Sequence, residues 1–415
     1  MNSIEELFLQ ALRASLKNES VNWDAPLSTG DWNGLYRLSE MHKVIPMIFE
    51  AVCRCPAAKE ADRQVIELFK MRAIQAVSAQ AVKTDGFMRL YRYLKDAGLT
   101  PTVVKGIVCR SLFPNPDYRI SSDEDILVPQ EQFISCCEAM TKFGMINSNS
   151  EQDINSAYEI TFVSKDSPLR IELHRQLFPP QSEAYGELNG FFVEALDNPI
   201  ELSVQGMTVS TLNHTDNLFY LICHSFKHFL HSGFGIRQVC DITLYANAYG
   251  ESIDWHRILI NCKKINAELF AAAIFGIGEK YLTFDRTAAC FPDEWRAIEV
   301  DEAPLLDDLL SGGVYGGSSM SRKHSSGMTL NAVADDKKGK KSGKGIVGTL
   351  FPPLKEMQTR YEYLRSAPFL LPVAWAGRII KYGKEISQSE SESASQAMKI
   401  GKERVELLKK YGIIR

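Results

Sequence analysis

Two short segments of the 415-residue chain decide its fold class: VVKG at residues 103–106 and YRISSDEDILV at residues 118–128. Each contains a short aliphatic run bounded by glycine, proline or polar residues, which is typical of a buried strand. Between them, residues 107–113 have a helical pattern that ends at Pro114. The region therefore predicts a strand, a glycine turn with a helix, and a second strand that opens with acidic residues.

A second pair of strands follows in the same region. Residues 158–164 alternate apolar and polar side chains, and residues 169–174 follow after the polar turn Lys165-Asp166-Ser167-Pro168. Alternation on both sides of such a turn predicts an antiparallel hairpin. Residues 96–210 are therefore predicted to form a mixed α+β unit.

Helical patterns lie on both sides of this unit. Residues 1–95 are predicted as an N-terminal helical region, with a capping box at Ser3 and Glu6 and with Asp31 as the N-cap of a second helix. Residues 211–310 are predicted as a C-terminal helical region. Residues 311–348, rich in Gly, Ser and Lys, favour a flexible linker, and residues 349–415 are predicted as a docking segment with further helices.

Composition excludes several classes of protein. Lys plus Arg is 47 and Asp plus Glu is 51, a net charge of −4, which argues against a histone-like nucleic-acid binder but leaves a local basic stripe open. The apolar run near the C-terminus, residues 367–377, is shorter than the roughly 20 residues that a membrane span needs, so no membrane insertion is predicted. The N-terminus lacks a signal-peptide pattern, and the nine scattered cysteines fit reduced thiols, which predicts a cytoplasmic protein.

The acidic residues that open the second strand suggest chemistry. On an extended backbone Asp123 and Asp125 point the same way, about 7 Å apart along the strand, and they repel unless a cation lies between them. Carboxylate oxygens of this kind suit Mg²⁺. Glu172, on a later strand, is a candidate third carboxylate for a two-metal site. The alternative is a solvated pair, since Asp-x-Asp is a common string.

The order of these parts resembles a known family, the uncharacterised nucleotidyltransferases of bacteria, a branch of the DNA polymerase β-like nucleotidyltransferase superfamily. The resemblance is carried by Val-Lys-Gly at 104–106, Arg119, Asp-x-Asp-Ile-Leu-Val at 123–128 and Ile-Glu-Leu-His at 171–174, with further counterparts at 31–32, 235–241, 253–255 and 360–375. It covers most of the chain outside the Gly/Ser/Lys segment.

The resemblance implies an α+β fold with a small mixed-sheet core. It also implies two Mg²⁺ ions, with Mn²⁺ as a substitute, and transfer of a nucleoside monophosphate from an NTP, ATP being the expected donor, to an unidentified hydroxyl acceptor. By position, the implied catalytic metal ligands are Asp123, Asp125 and Glu172, and the implied nucleotide-binding residues are Lys105, Gly106 and Arg119. Lys105 and Arg119 would neutralise phosphate charge, and Gly106 would let the backbone approach the triphosphate at a helix N-terminus.

Two departures from the family pattern motivate an alternative function. Ile107 follows Gly106 where a glycine or serine is usual, which weakens the phosphate cradle. Glu124 stands between the aspartates where an apolar residue is usual, and we interpret it as a surface acid in preference to an extra ligand. The alternative is a catalytically inactive nucleotide- or partner-binding protein of the same fold.

Histidines form a second group of candidates. His224, Lys227 and His228 share one helix face, which favours a polar lining of the cleft beside Glu172. A zinc-dependent hydrolase or ordinary partly buried histidines are the alternatives, and the intervening lysine opposes a cation site. His174 shares a strand face with Glu172, where it is a candidate either for substrate contact or for a structural role.

Overall fold

A computed structural model describes residues 1–314, 319–339, 354, 357, 358, 361, 363–377 and 394–415. The named α-helices are α1 Ser3–Leu16, α2 Thr29–Met41, α3 Ile45–Val52, α4 Pro56–Lys59, α5 Arg63–Asp96, α6 Gly106–Arg110, α7 Phe133–Phe143, α8 His214–His231, α9 Ile236–Tyr249, α10 Trp255–Lys264, α11 Glu268–Tyr281, α12 Asp293–Arg296, α13 Ala303–Gly312, α14 Met320–Lys337, α15 Tyr363–Ser366 and α16 Ala394–Lys410. The strands are β1 Thr102–Val104, β2 Glu124–Leu127, β3 Met145–Asn147, β4 Glu159–Ser164, β5 Arg170–His174, β6 Ile200–Val204 and β7 Met207–Thr211.

The described residues contain a seven-stranded sheet in the order β3-β4-β5-β2-β1-β7-β6. β1 is antiparallel to β2, whereas β2 is parallel to β5, so the sheet is mixed and the predicted α+β class is confirmed. The predicted hairpin forms between β4 and β5. β6 and β7 make another hairpin, in which Gln205 and Gly206 both have positive φ, as a two-residue turn of this hand requires.

The first two helices begin at residues other than those predicted. Asn2 caps α1 and forms a capping box with Glu5, one residue earlier than the predicted pair. Ser28 caps α2, and Asp31 is its capping-box partner at the third helical position, so the prediction of Asp31 as N-cap was wrong. In both cases a polar side chain just upstream reaches the free N–H groups of the first turn.

One connected hydrophobic core joins the N-terminal helices, the sheet and the later helices. It extends from Phe8 through Ile126 in β2 to Tyr411 beside the C-terminus. The helix α5 packs against α2, α3 and α7, while α9 packs against the short α6. The candidate site residues therefore lie on elements that the core holds on several sides.

The predicted flexible linker is wrong where the structure describes it, because residues 320–337 form the helix α14. This helix packs against α8 and α16 and buries small polar residues such as Ser325 and Thr329. The Thr329 hydroxyl donates a 2.7 Å hydrogen bond to the carbonyl of Leu230. A segment rich in small residues resembles a linker by its composition, but small side chains also allow helices to pack closely. Residues 315–318 and 340–348 of the predicted linker lie outside the described residues.

The C-terminal region contains two described features. Met357, Leu364 and Ala374 form a small apolar cluster within the predicted docking segment. The last helix of the predicted C-terminal segment is α16, Ala394–Lys410. None of the helices in the described part of the chain combines the length and apolarity that crossing a membrane would require.

Candidate active site

Two neighbouring strands bring acidic side chains together. Asp125 of β2 lies directly opposite Glu172 of β5 in parallel register, so both side chains project from the same face of the sheet. His174, two residues further along β5, shares that face, and its Nε2 lies 3.3 Å from Asp125 Oδ1. Ligand atoms of these three residues all lie within 4.8 Å of one another. The structure thus supplies a group able to hold a metal ion.

Asp123 lies just before β2, partly exposed and outside this trio. Its charge nevertheless acts on Glu172, whose pKa it helps to raise. The trio therefore contains two of the three predicted metal ligands together with His174, which the sequence offered only as a substrate-contacting or structural residue. Ligation by Asp123 stays a prediction.

The electrostatics of the trio show an excess of negative charge. Burial, followed by the Asp125 and Asp123 carboxylates, raises the pKa of Glu172 to about 7. Burial also opposes ionisation of Asp125, but the Lys105 ammonium and the His174 contact hold its pKa below the ordinary value. A nearby cation stabilises the ionised form of a carboxylate that lies beside other carboxylates. The donor set of two carboxylates and one imidazole therefore fits a divalent metal ion.

Lys105 is the buried cation of the site. Its Nζ lies 2.8 Å from Asp125 Oδ2 and 3.2 Å from His224 Nε2. Its backbone has φ +63° and ψ −129°, a conformation that costs a non-glycine residue about 1–3 kcal/mol. The strained turn between β1 and α6 directs this ammonium toward the trio of Asp125, Glu172 and His174. Its proximity to the site agrees with the sequence prediction, and its contact with phosphate stays a prediction.

Glu124 is neither a surface acid nor part of the metal-capable trio, which corrects our interpretation of it. Its side chain is fully buried, and Oε1 lies 2.6 Å from Nη2 of the equally buried Arg110. The same carboxylate accepts a 2.8 Å hydrogen bond from the Ser121 hydroxyl. Since neighbouring residues of a strand point to opposite faces, Glu124 projects away from the face that carries Asp125.

The turn at Gly106 is closed by the protein itself. Glu124 Oε2 accepts the Ile107 N–H at 2.8 Å, and it would lie only 2.0 Å from a Cβ placed on Gly106. With φ +40°, Gly106 is thus required because of Glu124 rather than because of a ligand. The prediction that this backbone cradles the triphosphate is not supported, since an internal carboxylate takes the N–H at the helix start.

Arg119 is also engaged within the protein. Its Nε and Nη2 donate to the two oxygens of Asp241 in α9 at 2.8 and 2.6 Å, and both side chains are 2% exposed. This bidentate pair favours a structural role for Arg119 over the predicted phosphate contact. Arg237, four residues before Asp241 on α9, donates to the carbonyl of Ile120.

Residues of α5 hold the loop that leads into β2, and sequence reasoning missed them. The buried Lys83 donates to the carbonyls of Ser121 and Ser122, and Gln80 Oε1 accepts the Ser121 N–H at 2.8 Å. The signal was available, because Gln80 and Lys83 are polar residues on the inner side of an otherwise apolar helix stripe. They position the loop immediately before Asp123.

The polar face of α8 reaches the site through Lys105. His224 contacts the Lys105 ammonium, and His228 Nε2 lies 3.3 Å from His224 Nε2. Burial and the neighbouring lysines lower the pKa of both imidazoles, so both are neutral near pH 7. Over the described residues the metal-capable group comprises Asp125, Glu172 and His174, without these histidines. The zinc-hydrolase alternative therefore gains no support.

Comparison with known proteins identifies the family of the chain. The model of the uncharacterised nucleotidyltransferase family matches residues 28–283, so the chain belongs to that family. The matched span includes Lys105, the metal-capable trio and the polar face of α8. No curated protein and no solved structure was found to match. Membership supports nucleotidyl transfer as the general activity and a nucleotide as substrate.

Proposed function

We propose that the protein transfers a nucleoside monophosphate from an NTP to a hydroxyl group of an acceptor, in a reaction that depends on Mg²⁺. The observation that carries the proposal is the parallel register of β2 and β5, which sets Asp125 opposite Glu172, with Asp123 two residues upstream. Family membership supplies the reaction class. ATP as the donor, Mn²⁺ as a substitute ion and a cytoplasmic location are further predictions from the sequence.

The residues present fit the metal that such a reaction uses. Asp123, Asp125 and Glu172 would hold two Mg²⁺ ions, with the His174 imidazole in reach of the same volume. When bound, Mg²⁺ neutralises phosphate charge and lowers the pKa of the acceptor hydroxyl. Lys105 keeps Asp125 ionised and adds a fixed positive charge beside the transferring phosphoryl group.

A labelling experiment tests this function. The protein is incubated with Mg²⁺, each α-labelled NTP in turn, and cell extract, and labelled products are separated. We expect Asp125→Asn and Glu172→Gln to reduce labelling by about 100-fold or more, because several kcal/mol of transition-state stabilisation depend on the ligands. Glu201→Gln is the matched control, since Glu201 is an exposed strand glutamate on β6. Full labelling by either site variant contradicts the mechanism.

A specific observation favours a second candidate, the inactive nucleotide-binding protein. Lys105 already neutralises Asp125 at 2.8 Å, and Glu124 takes the Ile107 N–H that a phosphate would use. Isothermal titration of the wild-type protein with Mg-NTP separates the candidates when it is combined with the labelling experiment. Binding without labelled product supports this second function, and labelled product excludes it.

A further inference from the structure

The structure raises the question of where the phosphate chain of a nucleotide would bind. The Ile107 N–H is bonded to Glu124, and the Arg119 guanidinium is paired with Asp241. Two of the groups that the sequence assigned to phosphates are thus occupied by carboxylates of the protein. Lys105 contacts a carboxylate as well, but that carboxylate is Asp125 of the metal-capable trio, so its ammonium lies where a metal-bound phosphate would bind. One lysine alone does not balance the charge of a polyphosphate.

A second lysine lies close enough to interact with Lys105 and with the carboxylates of the site. Lys227 of α8 is partly buried, between the two histidines of the helix face that contacts Lys105. Its Nζ lies 6.0 Å from the centre of the Phe178 ring. Within the described ranges, its ammonium has no hydrogen bond or ion pair to a protein group. A partly buried lysine that interacts with the carboxylates of the site but has no ion pair of its own can bind an anionic ligand.

The charges around Lys227 define what it can bind. Burial and then the Lys105 ammonium lower its pKa, whereas Glu159, Asp125 and Glu172 act in the opposite direction. His224 and His228, on the same helix face, are neutral and bring no anion to it. Both lysines therefore lie close enough to the trio to interact with its carboxylates. A ligand with several negative charges, bound together with a divalent cation, complements lysines and carboxylates that share one site.

We propose that Lys227 and Lys105 together bind the phosphate chain of the nucleotide, with the neutral imidazoles of His224 and His228 beside them. The identity of the ligand as a nucleotide rests on the proposed function, whereas the positions of the two ammonium groups come from the structure. Phosphate binding is thereby assigned to α8 and not to the turn at Gly106, where the sequence predicted it.

Titration calorimetry with inorganic triphosphate and Mg²⁺ tests this assignment without requiring catalysis. We expect Lys227→Met to weaken triphosphate binding by about 10-fold to 100-fold, the loss expected for one charge-assisted hydrogen bond. We expect Lys227→Arg to restore most of the affinity. The matched control is Lys264→Met, because Lys264 lies 5.9 Å from the centre of the Phe191 ring on the exposed surface of α10.

A second measurement uses the wild-type protein alone and so does not depend on how a variant folds. Triphosphate with Mg²⁺ should protect the Lys227 amine from acylation, as read by mass spectrometry of peptides, while Lys264 reacts equally with and without triphosphate. Protection of Lys227 supports the proposal. Absence of triphosphate binding at millimolar concentration, or equal binding by Lys227→Met and wild type, overturns it.

The two proposals fail in different ways. If triphosphate binds through Lys227 but no labelled product forms with any NTP, nucleotidyl transfer is wrong and the assignment of Lys227 stands. If labelled product forms and Lys227→Met leaves both triphosphate affinity and the KM for NTP unchanged, the assignment of Lys227 is wrong and the transferase function stands.

Discussion

Glu124→Gln tests how the structure uses the acidic residue between the two aspartates. Glu124 and Arg110 are both 0% exposed and lie 2.6 Å apart, so the substitution leaves a buried guanidinium without a charged partner. Removing one member of such a pair typically costs about 3–5 kcal/mol. The carboxamide also replaces the carboxylate that accepts the Ile107 N–H and the Ser121 hydroxyl. We therefore expect the free energy of unfolding to fall by about 3–5 kcal/mol.

The assay is urea unfolding followed by circular dichroism, with Glu131→Gln as a control because Glu131 is exposed. The double variant Arg110→Met, Glu124→Met should recover part of the loss, since no charge then remains buried. Folded Glu124→Gln should bind Mn²⁺ as the wild type does, because Glu124 points away from the metal-capable face. Unchanged stability together with lost Mn²⁺ binding would refute this reasoning and make Glu124 a ligand.

Three further predictions follow from buried contacts. Gly106→Ala should unfold at lower urea than wild type, because a Cβ there would meet Glu124 Oε2 at 2.0 Å and φ is +40°; an equal midpoint would contradict the contact. His42→Gln should flatten the loss of stability between pH 6.5 and 4. Burial lowers the His42 pKa from 6.5 to about 4, so its contribution is complete above pH 6.5 and is lost as pH falls through 4, by about 3 kcal/mol. Parallel pH curves for variant and wild type would rule this out. Lys83→Met should weaken Mn²⁺ binding by about 10-fold to 100-fold, because Lys83 holds the loop before Asp123, whereas the exposed Lys70→Met on the same helix should not. Equal Mn²⁺ affinities of Lys83→Met and the wild type would show that Lys83 contributes to stability and not to metal binding.

The pairing of Asp125 with Glu172 was within reach of the sequence. Strand periodicity fixes which side chains share a face, so the acidic residues of β2 and β5 could be predicted to converge once the two strands were recognised. The hairpin of β4 and β5 followed equally from alternation and a polar turn. Both depend on local pattern and on the family resemblance.

The partners of the charged residues were decided only by the tertiary structure. Arg119 meets Asp241 across 122 residues, and Lys83 meets Ser121 across 38. Helix and strand periodicity cannot predict contacts between residues so far apart in the sequence. The sequence also does not show whether a single charged residue faces solvent, a ligand or a buried partner. Glu124 shows the consequence, since its position beside two aspartates suggested a surface acid while packing made it the partner of Arg110.

Residues 320–337 are a second case in which the tertiary structure decided what the sequence pattern did not predict. They lie within residues 311–348, whose high content of Gly, Ser and Lys favours a linker, yet they form α14. Small side chains become stabilising only when neighbouring helices approach closely, as where Thr329 bonds to the carbonyl of Leu230. The sequence by itself determined the strands β1, β2, β4 and β5 and the strand face that carries Asp125, because those depend on short-range periodicity. The tertiary structure decided which charges are neutralised and which remain for a ligand, because that depends on contacts between distant segments.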